Sequence, residues 1–254
     1  MAIPRGAVAA ISFDYGHVLA GIDVPELCAR LAADADRTAE RAAATSAATC
    51  AAVRASMTDA YRAHDEAIGA GLGHQAGWRA LMDVLVRAAG THVDARAHAR
   101  AVDRLWEAQP TRNLWRDVPP EARRLLGRLT DLRVPMVVTS NSEGRVAELV
   151  EQVGLTRHFR ATLDSGLLGF AKPDRRIFAL AAERLEVPLS AVVHVGDSEA
   201  ADVVGARRAG AWAVRFDGFV PSSASHASEA DARASTFAEL GAVLAEALDV
   251  PLET

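Results

Sequence analysis

The chain has 254 residues, half of them hydrophobic, and a formal net charge of -5. That length and apolar content suffice for one large core or two smaller ones and exclude a disordered chain. The mild acidity lacks the concentrated basic field that a nucleic-acid backbone or an anionic membrane would need, so neither is expected as a partner. The two cysteines, Cys28 and Cys50, lie in Ala-rich sequence with helical spacing and read as two small buried thiols, because no cysteine-dense framework surrounds them. The first ten residues carry one arginine and only a short apolar stretch, the pattern of neither a signal peptide nor a membrane span, and the expected location is the cytoplasm.

Residues 7–13 form an apolar run that stops at Asp14, Tyr15 and Gly16, which predicts a buried parallel strand ending at a loop. From 23 to about 115 the pattern is helical, with Ala-, Arg- and Leu-rich segments and no strand signal. Pro25-Glu26 opens one helix, and others are expected over about 37–68, 74–89 and 94–107. Gly69, Gly71, Gly73 and Gly90 punctuate them and Pro110 closes the set. The expected organisation is an α/β core formed by 1–19 and 116–254, with a helical-bundle cap, 20–115, inserted after the first strand.

From Pro119 onward strands and helices alternate: a helix to Thr130, a strand over 135–139, a helix over 144–153 and a short strand near 161–163. A helix over 174–185 then leads to strands over 191–195 and 211–216, separated by a helix through Ala206. This alternation predicts a doubly wound parallel sheet with helices on both faces and ligands beyond the carboxyl ends of the strands. Residues 217–230 read as a loop and 236–248 as a last amphipathic helix.

Four segments follow predicted strands: Phe13-Asp14-Tyr15-Gly16-His17-Val18-Leu19, Val138-Thr139-Ser140-Asn141, Lys172-Pro173-Asp174, and Gly196-Asp197-Ser198-Glu199-Ala200-Ala201-Asp202. Taken singly, an aspartate after a strand is a turn or cap residue, Ser140-Asn141 an N-cap, and Lys172-Pro173 a surface turn. Taken together and in order, they resemble the four motifs of the haloacid dehalogenase superfamily, and the resemblance extends over the whole chain, including the place of the helical cap. It implies a Rossmann-like core and a magnesium-dependent hydrolase, most simply a phosphatase of a small phosphorylated metabolite acting through a phospho-aspartyl intermediate at Asp14. By the same resemblance Mg2+ is held by Asp14, Asp197 and the backbone carbonyl of Gly16, and Ser140 hydrogen-bonds a phosphoryl oxygen with Asn141 beside it. Lys172 holds the nucleophile and the phosphoryl group, and Asp202 is an outer-shell acid that orients a metal-bound water or Lys172. The physical reading agrees, since a carboxylate attacking phosphorus needs a cation to offset the repulsion of two anions, and magnesium prefers oxygen ligands.

One position departs from that pattern. Most phosphatases of the superfamily carry a second aspartate two residues after the nucleophile, where this chain has Gly16. His17, whose ordinary pKa suits neutral pH, is the candidate acid–base group in its place, against a reading in which it packs near the loop. Gly16 also sustains an alternative in which the chain is a catalytically impaired relative that binds a phosphorylated ligand or partner. The dehalogenase branch is the nearer enzyme alternative, but it places a tyrosine two residues past the nucleophile and lacks the acidic fourth motif. Here Tyr15 comes one residue earlier and both Asp197 and Asp202 are present. The remaining histidines, His64, His74, His92, His98, His158, His194 and His226, show no metal-ligand spacing and are expected in surface or core roles. Trp78 and Trp106 fit helical apolar faces and read as core, whereas Tyr61, Arg62, His64 and Arg79 read as a solvated helix face.

Overall fold

The computed structural model describes residues 2–34, 47–90, 94–219 and 228–252. Strand β1 (Ala10–Phe13) is buried along its length and is followed by the two-residue β2 (Gly21–Ile22). Helices α1 (Val24–Asp34), α2 (Ala47–Ala55), α3 (Met57–Gly69), α4 (His74–Ala89) and α5 (Ala95–Ala108) come next. Then β3 (Trp115–Asp117) pairs with β2 in a two-stranded sheet. Neither short strand is foreseen in the sequence, because two or three residues leave no periodicity to detect. The single helix expected over 37–68 is instead interrupted at Ser56, whose hydroxyl donates to the Ala52 carbonyl at 3.1 Å. Such back-bonding offers the backbone an alternative to the helical ladder. The part of that expectation over 37–46 lies outside the described residues.

In the helical segment Trp78 is 1% exposed and meets Trp106 edge-on at 5.2 Å, a core role as expected. Tyr61 corrects the expectation of a solvated face: it is buried and stacked on Trp115 at 6.3 Å, because its side of α3 faces the helical core. Arg62 and Arg79 do lie toward solvent, paired with Asp59 and Asp103. Cys28 is buried and Cys50 half-buried, both as free thiols.

The rest of the chain continues through α6 (Pro120–Asp131), β4 (Met136–Ser140), α7 (Val146–Gln152), β5 (Ala161–Asp164), the short α8 (Ser165–Leu168), α9 (Arg175–Leu185) and β6 (Val192–Gly196). A π-helical turn (Glu199–Val204) then runs into α10 (Gly205–Ala209), followed by β7 (Trp212–Phe216), β8 (Ala232–Ala234) and α11 (Phe237–Leu248). The six-stranded sheet has the order β5-β4-β1-β6-β7-β8 with every pairing parallel. Ala10, Val137, Val192 and Ala213 pack with Ile177, Phe178, Ala181 and Leu185 of α9. The alternate residues Ile11, Val138, Val193 and Val214 are buried as well, so both faces of the sheet are covered, as a parallel sheet requires. Among the strands of this part, β8 escapes the sequence pattern, since Ala232-Arg233-Ala234 carries no apolar run.

The polypeptide forms two compact units, one of Met1–Gly21 with Val118–Thr254 and one of Ile22–Asp117. Among the described residues no helix is long and apolar enough to cross a membrane.

Candidate active site

All the residues described below belong to the sheet-bearing unit. Asp14 is the first residue beyond β1, and its N–H donates to the Val195 carbonyl of β6 at 2.9 Å, which fixes the point where the chain leaves the sheet. The loop after it is tightly bonded. Leu19 and Ala20 N–H both donate to the Tyr15 carbonyl, and His17 N–H donates to the Ala20 carbonyl at 2.9 Å. The left-handed residue of this loop is His17, with φ 58°. Its ring is buried, and Nδ1 lies 3.1 Å from Asp197 Oδ2.

Two donors converge on Asp14 Oδ1: the Tyr15 N–H at 2.7 Å and Lys172 Nζ at 3.0 Å. Lys172 Nζ also lies 2.7 Å from Asp202 Oδ1. Far from an ordinary surface turn, Lys172 is 4% exposed. Its backbone is clamped by Asn141, whose Oδ1 accepts from Lys172 N–H at 2.8 Å while Nδ2 donates to the Lys172 carbonyl at 2.9 Å. Asn141, expected beside the substrate, therefore spends both ends of its amide on placing the lysine. Burial alone would lower the Lys172 pKa, but attraction to Asp14 and Asp202 outweighs it and raises it above the usual lysine range. Burial would likewise raise that of Asp202, yet Lys172 and His194 hold it well below the usual carboxylate range. The pair is thus an ammonium and a carboxylate.

Asp197 follows β6 directly, and Asp202 sits on the π-helical turn, where Asp202 and Val203 N–H both reach the Ser198 carbonyl, at 3.0 and 3.2 Å. The widened turn brings Asp202 back over the end of β6, and its Oδ2 accepts from Ser198 N–H at 2.9 Å. A Cβ at position 196 would lie 2.2 Å from Asp202 Cγ, so only glycine leaves room for the carboxyl group. Asp14, Asp197 and Asp202 each offer an oxygen within 4.8 Å of the others. Three carboxylates against the one Lys172 ammonium leave two negative charges in excess before His17 is counted. A hard divalent cation such as magnesium fits that donor set in both charge and ligand type.

Ser140 ends β4, the neighbour of β1, and is 6% exposed. The loop after it is organised by Asp164, a residue that sequence reasoning passes over. Asp164 Oδ1 accepts from Gly144 and Gly166 N–H, at 3.0 and 2.9 Å. Its Oδ2 accepts from Ser142 Oγ and Val146 N–H, at 2.7 and 3.0 Å. His194 is in the core, within the surface or core role expected of it, but its contact with Asp202 is not foreseen in the sequence. It lies directly behind Asp202, with Nε2 at 2.9 Å from Asp202 Oδ1. The available signal was a polar residue inside the apolar run Val192-Val193-His194-Val195, since a buried polar group needs partners. Of the other histidines, His158 is buried against Thr130, and His92 and His226 lie outside the described residues.

A family model described as haloacid dehalogenase-like hydrolase matches residues 11–210. Haloacid dehalogenase-like hydrolase domain-containing protein 3 of Bos taurus is 31% identical over 161 residues, which are 61% of this chain and 63% of that protein. The 5-amino-6-(5-phospho-D-ribitylamino)uracil phosphatase of Escherichia coli is 36% identical over 99 residues, 38% of this chain and 40% of that protein. The chain therefore spans less than two thirds of the length of these relatives. The HAD-hydrolase YfnB of Bacillus subtilis, solved bound to magnesium, aligns with a TM-score of 0.60 at 16% identity, covering 93% of this chain and 98% of that one. That likeness is one of fold.

Proposed function

The chain belongs to the haloacid dehalogenase-like hydrolase family, and from that premise we propose that it is a magnesium-dependent phosphatase of a small phosphorylated metabolite, with Asp14 as nucleophile. The observation that carries the reading is the line from the partly exposed Asp14 to the buried Lys172 and Asp202, beside the Asp197 carboxylate. A phosphatase among its relatives supports the reaction class. The full acidic fourth segment, Asp197 and Asp202, favours it over a metal-free dehalogenase.

The contacts support the following roles. With Tyr15 N–H and Lys172 both on Oδ1, Oδ2 is the oxygen of Asp14 that attacks phosphorus. The new Oδ2–P bond forms as the bond from phosphorus to the substrate oxygen breaks, and water then cleaves the acyl phosphate to release inorganic phosphate and restore Asp14. Lys172 holds the incoming phosphoryl group by charge, and the Ser140 hydroxyl donates to one of its oxygens. Asp202 keeps Lys172 charged and aimed, while Asn141 fixes the lysine's backbone. Asp14, Asp197 and the Gly16 carbonyl would hold the magnesium ion, which supplies charge neutralisation between the two anions. His17, in contact with Asp197 through Nδ1, would have to deliver a proton from its other ring nitrogen. The unit Ile22–Asp117 serves in this reading as the cap that selects the substrate.

Phosphate release from 4-nitrophenyl phosphate tests the proposal. Hydrolysis is expected with magnesium, is lost on chelation, and falls to background in Asp14→Asn with the fold intact. Turnover of Asp14→Asn within a few-fold of the wild type contradicts the assignment. A wild type that binds phosphate but never turns over would support the binding-protein alternative that Gly16 leaves open.

A further inference from the structure

Just beneath the carboxylates, on the face of the sheet packed by α9, three adjacent strands carry polar side chains in otherwise apolar surroundings. Thr139 on β4, Ser12 on β1 and His194 on β6 are 0%, 0% and 1% exposed. Ser12 and His194 are register partners in the parallel pairing of β1 with β6. The Ser12 and Thr139 hydroxyls lie 2.8 Å apart, and His194 Nδ1 lies 3.0 Å from Ser12 Oγ. At the other side of the ring Nε2 lies 2.9 Å from Asp202 Oδ1, the same oxygen that receives Lys172 Nζ at 2.7 Å. A continuous line of polar contacts therefore runs Thr139–Ser12–His194–Asp202–Lys172–Asp14.

Packing alone does not call for a histidine here. Its strand neighbours are valines, and an edge-on contact with Phe178 at 5.2 Å would be served by any ring. Burying a polar ring is unfavourable unless its nitrogens are hydrogen-bonded, and here both are engaged. A carboxylate only accepts hydrogen bonds, so Nε2 must carry the hydrogen, and the tautomer is fixed by Asp202. The line also touches the three strands that deliver the chemistry: β1 leads directly into Asp14, β4 ends at Ser140, and β6 leads directly into Asp197.

We propose that His194 is a positioning residue: its Nε2–H fixes the Asp202 carboxylate, which sets the Lys172 ammonium against Asp14, while Ser12 and Thr139 tie the same ring to the strands bearing Asp14 and Ser140. The catalytic consequence rests on the phosphatase reading above; the hold on Lys172 does not.

Two variants and two readouts test it. His194→Phe keeps a ring against Phe178 but removes the donor, and His194→Gln returns an amide donor toward Asp202. The first readout is the 15N–1H signal of the Lys172 ammonium, which requires no turnover. The second is kcat and KM for 4-nitrophenyl phosphate with magnesium. In His194→Phe the ammonium signal shifts and broadens, and kcat falls roughly ten- to hundredfold, the range for losing one hydrogen bond to a charged group, with KM little changed. His194→Gln restores most of both. If His194→Phe does not fold, His194→Asn replaces it with the same expectations, because its shorter amide falls short of Asp202. An unchanged Lys172 signal in the donor-less variant, or equal damage in His194→Gln, overturns the proposal. A Lys172 signal that responds as expected in a protein that releases no phosphate contradicts the phosphatase reading and leaves the positioning role standing. Normal kcat in His194→Phe contradicts the positioning role alone.

Discussion

Gly16 is the residue at which this chain most departs from the phosphatases it resembles, and the consequence is chemical. Without a carboxylic acid at that position the leaving oxygen departs with more negative charge, so the rate should depend steeply on leaving-group acidity, general acid catalysis being worth about 10² to 10⁴. Aryl and acyl phosphates should be hydrolysed far faster than phosphates of simple primary alcohols. The left-handed conformation in this loop belongs to His17 and not to Gly16, so Gly16→Asp meets no left-handed backbone strain and should flatten the dependence. A shallow dependence in the wild type that becomes steep in His17→Ala would instead identify His17 as the proton donor. One that stays shallow in His17→Ala contradicts both versions. At this scale the sequence reveals the residues whose chemistry is distinctive in joint order, Asp14, Lys172, Asp197 and Asp202, and the structure brings them into contact or within 4.8 Å. It does not reveal Asn141 as a clamp on the Lys172 backbone or His194 as the partner of Asp202. Those roles depend on contacts 31 and 8 residues apart in sequence, which no local pattern encodes.

Elements, more than single side chains, determine how steadily these groups are held. Asp164, the last residue of β5, accepts from three backbone N–H groups and one hydroxyl, fastening the turn after β4 and the start of α8. The packing there is close: a Cβ at Gly166 would fall 2.6 Å from Gly144 N. Asp164→Ala should therefore cost about 2–3 kcal/mol in urea unfolding, since four donors, the buried Val146 N–H among them, lose their acceptor together. It should also raise KM for an aryl phosphate by loosening the loop that carries Ser140 and Asn141. A variant as stable as the wild type would show that water replaces the carboxylate without penalty. Long elements with a clear period, such as α9 or β6, are legible because apolar spacing repeats enough to be read. The π-helical turn at Asp202 is not, because its extra residue per turn arises from folding the carboxyl group over Gly196 and leaves no compositional mark.

For the molecule as a whole, stability and chemistry give separate tests. His158 links the turn before β5 to Thr130 of α6 through a 2.7 Å contact, and burial, followed by the charges of Arg157 and Arg123, lowers its pKa below the ordinary histidine value. A group whose folded pKa is depressed contributes stability above its unfolded pKa and loses that contribution as pH falls through the folded one. The melting temperature should thus drop as pH is lowered below about 6.5, and drop less in His158→Gln. Equal slopes in the two proteins would rule out His158 as the source. The alternation of strands and helices makes the doubly wound core legible at this scale, while the extra pairings β2–β3 and β7–β8 are too short to anticipate. The central claim concerns the atom that attacks phosphorus, and the most direct measurement is to quench the protein during turnover of an aryl phosphate with magnesium, reduce it with borohydride, and locate the modified residue by peptide mass spectrometry. An acyl phosphate at Asp14 would be reduced to homoserine there, only when substrate and magnesium are both present; steady turnover with position 14 unmodified, or with the label on another residue, would contradict the account.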